Sequence, residues 1–199
     1  MKRKPLIAAA IFAEGMLAAL HASAHTGAGL RGGLVAGALH PWTGFDHLLA
    51  MVAVGLWGAF LERRLAVALP IAFPLMMVAG AALGMRATPL PPVQPAIATS
   101  VLVLGTCIAC AWRAPAWLAL TIVGVFALFH GYAHGRELPS AADPIGYSAG
   151  FVVATGLLHV GGIAFAELAT RVPRLPLTRV AGAAIAAAGI AFLDRSLGP

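Results

Sequence analysis

Residues 40–61 read HPWTGFDHLLAMVAVGLWGAFL, with His40, Asp46 and His47 gathered at the head of an uncharged apolar run that ends at Leu61. Residues 130–137 repeat the design in mirror image: HGYAHGRE closes the apolar run over 116–134. An ionisable side chain at membrane depth costs roughly 3 kcal/mol on insertion scales. Several gathered in two stretches need a job that offsets this cost, and binding a metal ion is the leading candidate.

The rest of the chain sets these stretches in a membrane. Of 199 residues, 60% are hydrophobic and 10% charged, and the mean hydropathy is +0.90. These values define an integral membrane protein. The net charge of +6 and pI near 10.4 do not point to nucleic acid, because the Lys and Arg residues are scattered through short connections instead of forming one basic face. They read as topology signals.

Residues 1–24 resemble a cleavable secretory signal: Lys2, Arg3 and Lys4, an apolar stretch from Leu6 to Leu20, then Ala22-Ser23-Ala24 as a small-x-small cleavage site. Glu14 is atypical inside such a stretch, and an uncleaved anchor is the alternative. Cleavage would make His25 the mature amino terminus and leave residues 25–199 as a single transmembrane domain. Runs long enough to cross a hydrocarbon core of about 30 Å lie at 44–61, 65–85, 95–112, 116–134, 145–168 and 177–196. The expected fold is therefore all-α: a polytopic bundle of six transmembrane helices. A shorter segment, Gly29 to Leu39, precedes them and reads as an interfacial or re-entrant helix ended by Pro41.

With His25 outside, Arg63, Arg64, Arg113, Arg171, Arg174 and Arg179 fall on the cytoplasmic side, and Arg31, Arg86, Arg136 and Arg195 on the outer side. The excess agrees with positive-inside topology, with a periplasmic mature terminus and both histidine stretches near the external face. Glycines four apart (Gly29/Gly33/Gly37, Gly80/Gly84, Gly131/Gly135, Gly146/Gly150) let helix backbones approach closely in lipid. Whether several copies associate is left open by the sequence.

On an α-helix, His130, His134 and Glu137 fall within an arc of about 60°. Two imidazoles and a carboxylate can thus face one cation. Pro41 should disrupt a helix through His40, which places His40 just before the spanning helix that carries Asp46 and His47. Asp46 suits a helix start, yet it could also ligate an ion or orient an imidazole from behind. Imidazole with one or two carboxylates fits nickel, cobalt, zinc or copper(II).

The strings HPWTGFDHLLAMVAVGLWGA, LPIAFPLMMVAGAALG, SVLVLG, FHGYAHGRELP and GFVVATGLLHVGG, in this order, resemble the HupE/UreJ family of bacterial nickel permeases associated with hydrogenase and urease gene clusters. The resemblance covers nearly all of the mature chain. It implies an inner-membrane protein that transports nickel, in which His40, Asp46, His47, His130, His134 and Glu137 match the motif positions that handle the ion. It also marks Phe73 as a characteristic position. Gln94 is a departure, because a Glu is expected before Pro95; the change removes a negative charge from the outer mouth.

Other residues divide between bland and functional readings. Cys107 and Cys110 sit in an apolar run with no second pair, so small packing residues are the expectation. His159, inside the fifth span, is either satisfied by a neighbouring helix or a transient site on the ion's way inward. His25, once freed, could chelate with its amine and ring, or belong to a disordered terminus. No phosphate-binding GxxxxGK[ST] loop is present, so ATP is not used directly. A potential of about 100 mV favours inward movement of a divalent cation by about 4.6 kcal/mol, enough for facilitated diffusion. Ligation needs neutral imidazole, and uptake should weaken as external pH falls through about 6.5.

The expected ligand is a divalent transition-metal ion in transit, with no tightly bound cofactor. Two rival readings use the same side chains. One is an intramembrane zinc hydrolase with Glu137 as general base, and the other a membrane haem protein with histidine axial ligands.

Overall fold

The computed structural model describes residues 30–137, 143–172 and 176–198, with the side chains of Leu30, Arg31 and Glu137 outside that description. The expected signal segment 1–24 and His25 also lie outside the described residues. Among the described residues the chain is all helical: α1 (Leu30–Thr43), α2 (Phe45–Leu61), α3 (Leu65–Met85), α4 (Val93–Ala109), α5 (Ala116–Glu137), α6 (Pro144–Ala169) and α7 (Leu177–Leu197).

Helices α2 to α7 fall on the six apolar runs, but not all are equally able to cross a bilayer. Four of them, α3, α5, α6 and α7, are long and apolar enough alone. Helix α4 has 17 residues, about 25 Å, against about 30 Å of hydrocarbon. Helix α2 is as short and joins α1 in a pair bent by 85° that can act as one broken span.

The break corrects one expectation. Helix α1 does not stop before Pro41; Pro41 lies inside it, and the chain breaks at Gly44, whose φ of −104° and ψ of 105° are extended. Pro41 removes only one backbone donor, and the helix runs barely one turn further. At that turn the Thr43 hydroxyl donates to the His40 carbonyl at 2.8 Å, replacing the bond that Gly44 would make in a continuous helix. His40 therefore sits on the last turn of α1, with Asp46 and His47 on the first turn of α2.

Burial shows what surrounds the bundle. On α3, Leu65, Leu69, Phe73 and Met77 are buried while Val67, Ile71, Leu75 and Val78 are exposed. Both faces of the helix are apolar, and an exposed Val/Ile/Leu stripe of this length is stable against lipid tails and not against water. The chain is a multi-pass membrane protein.

Glycines set the helix spacing. A Cβ at Gly80 would strike the Leu128 carbonyl, one at Gly131 the Met77 carbonyl and one at Gly135 the Ala81 carbonyl, so α3 and α5 lie backbone to backbone. Gly37 meets Tyr147 and Gly150 meets Leu34, joining α1 to α6; Gly55 meets His159, joining α2 to α6. Gly105, Gly182 and Gly189 do the same for α4 and α7. Three of the expected four-residue repeats thus lie at close helix contacts, where dispersion and shape fit substitute for hydrophobic driving force.

The bundle has two distinct ends. The last turns of α2, α4 and α6 and the first turns of α3, α5 and α7 share one, where Trp57 stacks on Trp112 at 6.2 Å between ring centroids and the Arg179 Nε donates to the Ala109 carbonyl at 2.9 Å. There a cavity of about 700 Å³ is lined in part by Arg63, Arg113, Arg179 and Glu167. The histidine-bearing helix ends lie at the other.

Candidate metal site

Four imidazoles from the two sequence stretches come together. The His47 ring lies 4.8 Å from that of His130 and 4.9 Å from that of His134, and His40 lies 4.9 Å from His134, all between centroids. They meet edge to face, at interplanar angles of 83°, 65° and 80°. His130 and His134 come from successive turns of α5; His40 and His47 reach them because the chain bends at Gly44. A straight helix would set His40 and His47 seven residues and about 10 Å apart along its axis.

His130 is fully buried, and His134 nearly so. The His134 ring packs at 4.3 Å on Phe151, and His40 lies 5.7 Å from Tyr147. Among the described residues, no group of three or more His, Cys, Asp or Glu side chains stands as a finished coordination set.

Asp46 is tied to its neighbour. One carboxylate oxygen, Oδ1, accepts from the His47 backbone N–H and faces the His47 Nδ1, both at 2.8 Å. With Nδ1–H donated there, the second nitrogen, Nε2, carries the lone pair. It is buried without a hydrogen-bond partner among the described residues. Asp46 thereby holds the His47 ring, which is one of the two roles open to it.

Phe73 and His159 continue inward from the cluster. The fully buried Phe73 ring lies 5.6 Å from His130 on one side and 5.3 Å from His159 on the other. His159 is fully buried, and neither ring nitrogen has a hydrogen-bond partner among the described residues. Among the described residues no backbone carbonyl or neighbouring helix supplies the partner that the packing reading of His159 expects. Gly55 packs on the His159 backbone.

The remaining candidates fare differently. Glu137 ends α5, but its side chain, like His25, is outside the described residues. Gln94 is exposed on the first turn of α4, at the histidine end. Cys107 is buried as expected of a packing residue, whereas Cys110 is exposed at the end of α4, and neither is in a disulfide. The sequence reading missed Ser100, whose hydroxyl lies 3.0 Å from the His130 Nε2, and the aromatic partners Tyr147 and Phe151. Ser100 was detectable only as one of three hydroxyls, with Thr99 and Thr106, in an apolar run.

The fold defines a multi-pass helical membrane protein, and four histidines, two buried and two half-buried, meet near one end of its bundle. Comparison with known proteins makes the class specific. The family model described as HupE / UreJ protein matches residues 13–192, and the chain belongs to the HupE/UreJ family. It is 44% identical over 176 residues to Protein HupE of Rhizobium leguminosarum bv. viciae, covering 88% of this chain and 92% of that relative. No solved structure matches. The family is one of membrane transporters, generally of nickel or cobalt and accessory to hydrogenase or urease, and is not an enzyme family. The hydrolase reading falls with that assignment.

Proposed function

We propose that this protein admits nickel across the bacterial inner membrane to supply hydrogenase or urease maturation. The observation that carries the reading is the meeting of half-buried His40 and His47 with buried His130 and His134 in one cluster at one end of the bundle. Buried imidazoles with a carboxylate behind them suit nickel and cobalt, whereas magnesium prefers oxygen ligands and surrenders its water reluctantly. Membership of a transporter family supports movement of the ion over permanent retention.

In this mechanism the ion is captured by the cluster, sheds water to the imidazoles, passes the Phe73 ring and is received by His159. The broken α1–α2 pair and the shorter α4 complete six crossings after a cleaved signal. The cluster then opens to the periplasm and the end bearing Arg63, Arg113 and Arg179 to the cytoplasm, in agreement with positive-inside topology. The membrane potential supplies the driving force: about 4.6 kcal/mol per divalent ion at about 100 mV, with facilitated diffusion sufficient.

The test is nickel-63 and cobalt-57 entry into proteoliposomes holding an inside-negative potential. Saturable entry of either ion, undiminished by millimolar magnesium, is expected; entry no faster than in protein-free vesicles would refute the proposal.

Asp46 gives a graded prediction. Asp46→Asn keeps the shape but weakens the bond that holds the His47 ring, and outer partners of metal-binding histidines typically contribute 10–100-fold in affinity. The expected result is a KM for nickel raised about tenfold or more with the maximal rate largely kept, read from concentration-dependent uptake. An unchanged KM would remove Asp46 from the orienting role.

A further inference from the structure

Ser100 on α4 reaches the cluster from a helix that carries none of its histidines. It is fully buried, and its Oγ lies 2.6 Å from the Ile97 carbonyl and 3.0 Å from the His130 Nε2. A serine hydroxyl has one proton. At 2.6 Å that proton must lie between Oγ and the Ile97 oxygen, because two oxygens so close with no hydrogen between them would repel each other. The Oγ is then left with lone pairs toward His130, and the remaining contact is favourable only if Nε2 carries the hydrogen and donates it. His130 is thereby fixed as the Nε2–H tautomer, and its lone pair is on Nδ1. That nitrogen is buried and has no hydrogen-bond partner among the described residues.

We infer that Ser100 is a positioning residue that selects the His130 tautomer and makes Nδ1 the nitrogen offered to a divalent transition metal. Asp46 does the complementary thing to His47, where Nδ1 is engaged and Nε2 is offered. The adjacent rings of His47 and His130 thus present opposite nitrogens, each held by a partner on the far side of the ring. Ser100 does this from α4, which ties the cluster on α1, α2 and α5 to a fourth helix. The metal role rests on the transport reading given above, whereas the tautomer does not.

The experiment separates the two. In metal-free protein labelled with nitrogen-15 histidine, with His130 signals identified by their loss in His130→Ala, solid-state NMR at pH 8 should show a protonated Nε2 and a bare Nδ1. Ser100→Ala should move His130 toward a mixture of tautomers, and Ser100→Thr, which keeps the hydroxyl, should restore the parent pattern. In transport, Ser100→Ala should raise the KM for nickel about tenfold with little change in maximal rate, and Ser100→Thr should recover most of it.

A protonated Nδ1 in the parent, or the same tautomer in parent and Ser100→Ala, overturns the inference even if nickel is transported. The expected tautomer shift with no change in nickel KM keeps Ser100 as tautomer-setting and overturns its part in metal capture. If Ser100→Ala accumulates poorly, the parent spectrum and the Ser100→Thr uptake still decide.

Discussion

His47→Ala is expected to lower nickel-63 accumulation at trace metal by at least about 100-fold, with the protein still present in the membrane. Among the clustered histidines, His47 is the one whose ring touches both His130 and His134. Its removal therefore deletes a proposed ligand and the contacts of α2 with the α5 pair, leaving His40 of α1 against His134. Losing an outer partner of a metal-bound histidine costs 10–100-fold in affinity, and losing the ligand itself costs at least the upper end of that range, about 2.7 kcal/mol. Folding should be affected much less, because His47 lies at the first turn of α2 and is partly exposed, away from the Met51, Val54 and Trp57 core of that helix. Phe45→Ala is the control: Phe45 is on the same turn but 70% exposed, and its loss should leave uptake near the parent value. Undiminished uptake by His47→Ala at trace nickel would remove the cluster from the ion's path.

The membrane class and the helix runs were legible in the sequence because they rest on composition and run length, which the bilayer converts almost directly into helices. The histidine pair on α5 was legible too, since one turn separates His130 from His134 and helix geometry alone puts them on one side. The meeting of His40 with His134 was only half legible. Pro41 advertised a break, but the bend came at Gly44, where the backbone is extended and the Thr43 hydroxyl satisfies the His40 carbonyl. Ser100 was not legible at all: its role depends on α4 lying beside α5, a packing choice made by side-chain and glycine contacts distributed over the whole bundle. His159 shows the converse. Its position in the fifth apolar run was plain, but the absence of a partner for its ring among the described residues became visible only with its neighbours in place.

Gly131→Ala and Gly161→Ala are expected to move the melting temperature in opposite directions, although both add one methyl group to a membrane helix. At Gly131 the new carbon would press on the carbonyl, carbonyl carbon and Cα of Met77. These are backbone atoms, so no side chain can swing aside, and α3 and α5 must separate. Overpacking of this kind typically costs 1–3 kcal/mol, and a clash with backbone belongs at about 3 kcal/mol. For a chain of this size that corresponds to a fall of about 6–12 °C in detergent. At Gly161 nothing lies within 4 Å of the added carbon; the gain is the helical preference of Ala over Gly, about 0.5–1 kcal/mol, and the melting temperature should hold or rise slightly. Transport should divide the same way. Gly131 sits between His130 and the turn that carries His134, and displacing α5 from α3 moves both imidazoles relative to His47 and opens the contact between His130 and Phe73. Nickel uptake by Gly131→Ala should therefore fall even in protein that has folded, whereas Gly161→Ala should transport like the parent. Equal melting temperatures and equal uptake for the two variants would mean that α3 and α5 do not pack backbone to backbone, and that the geometry assigned to the histidine cluster is wrong.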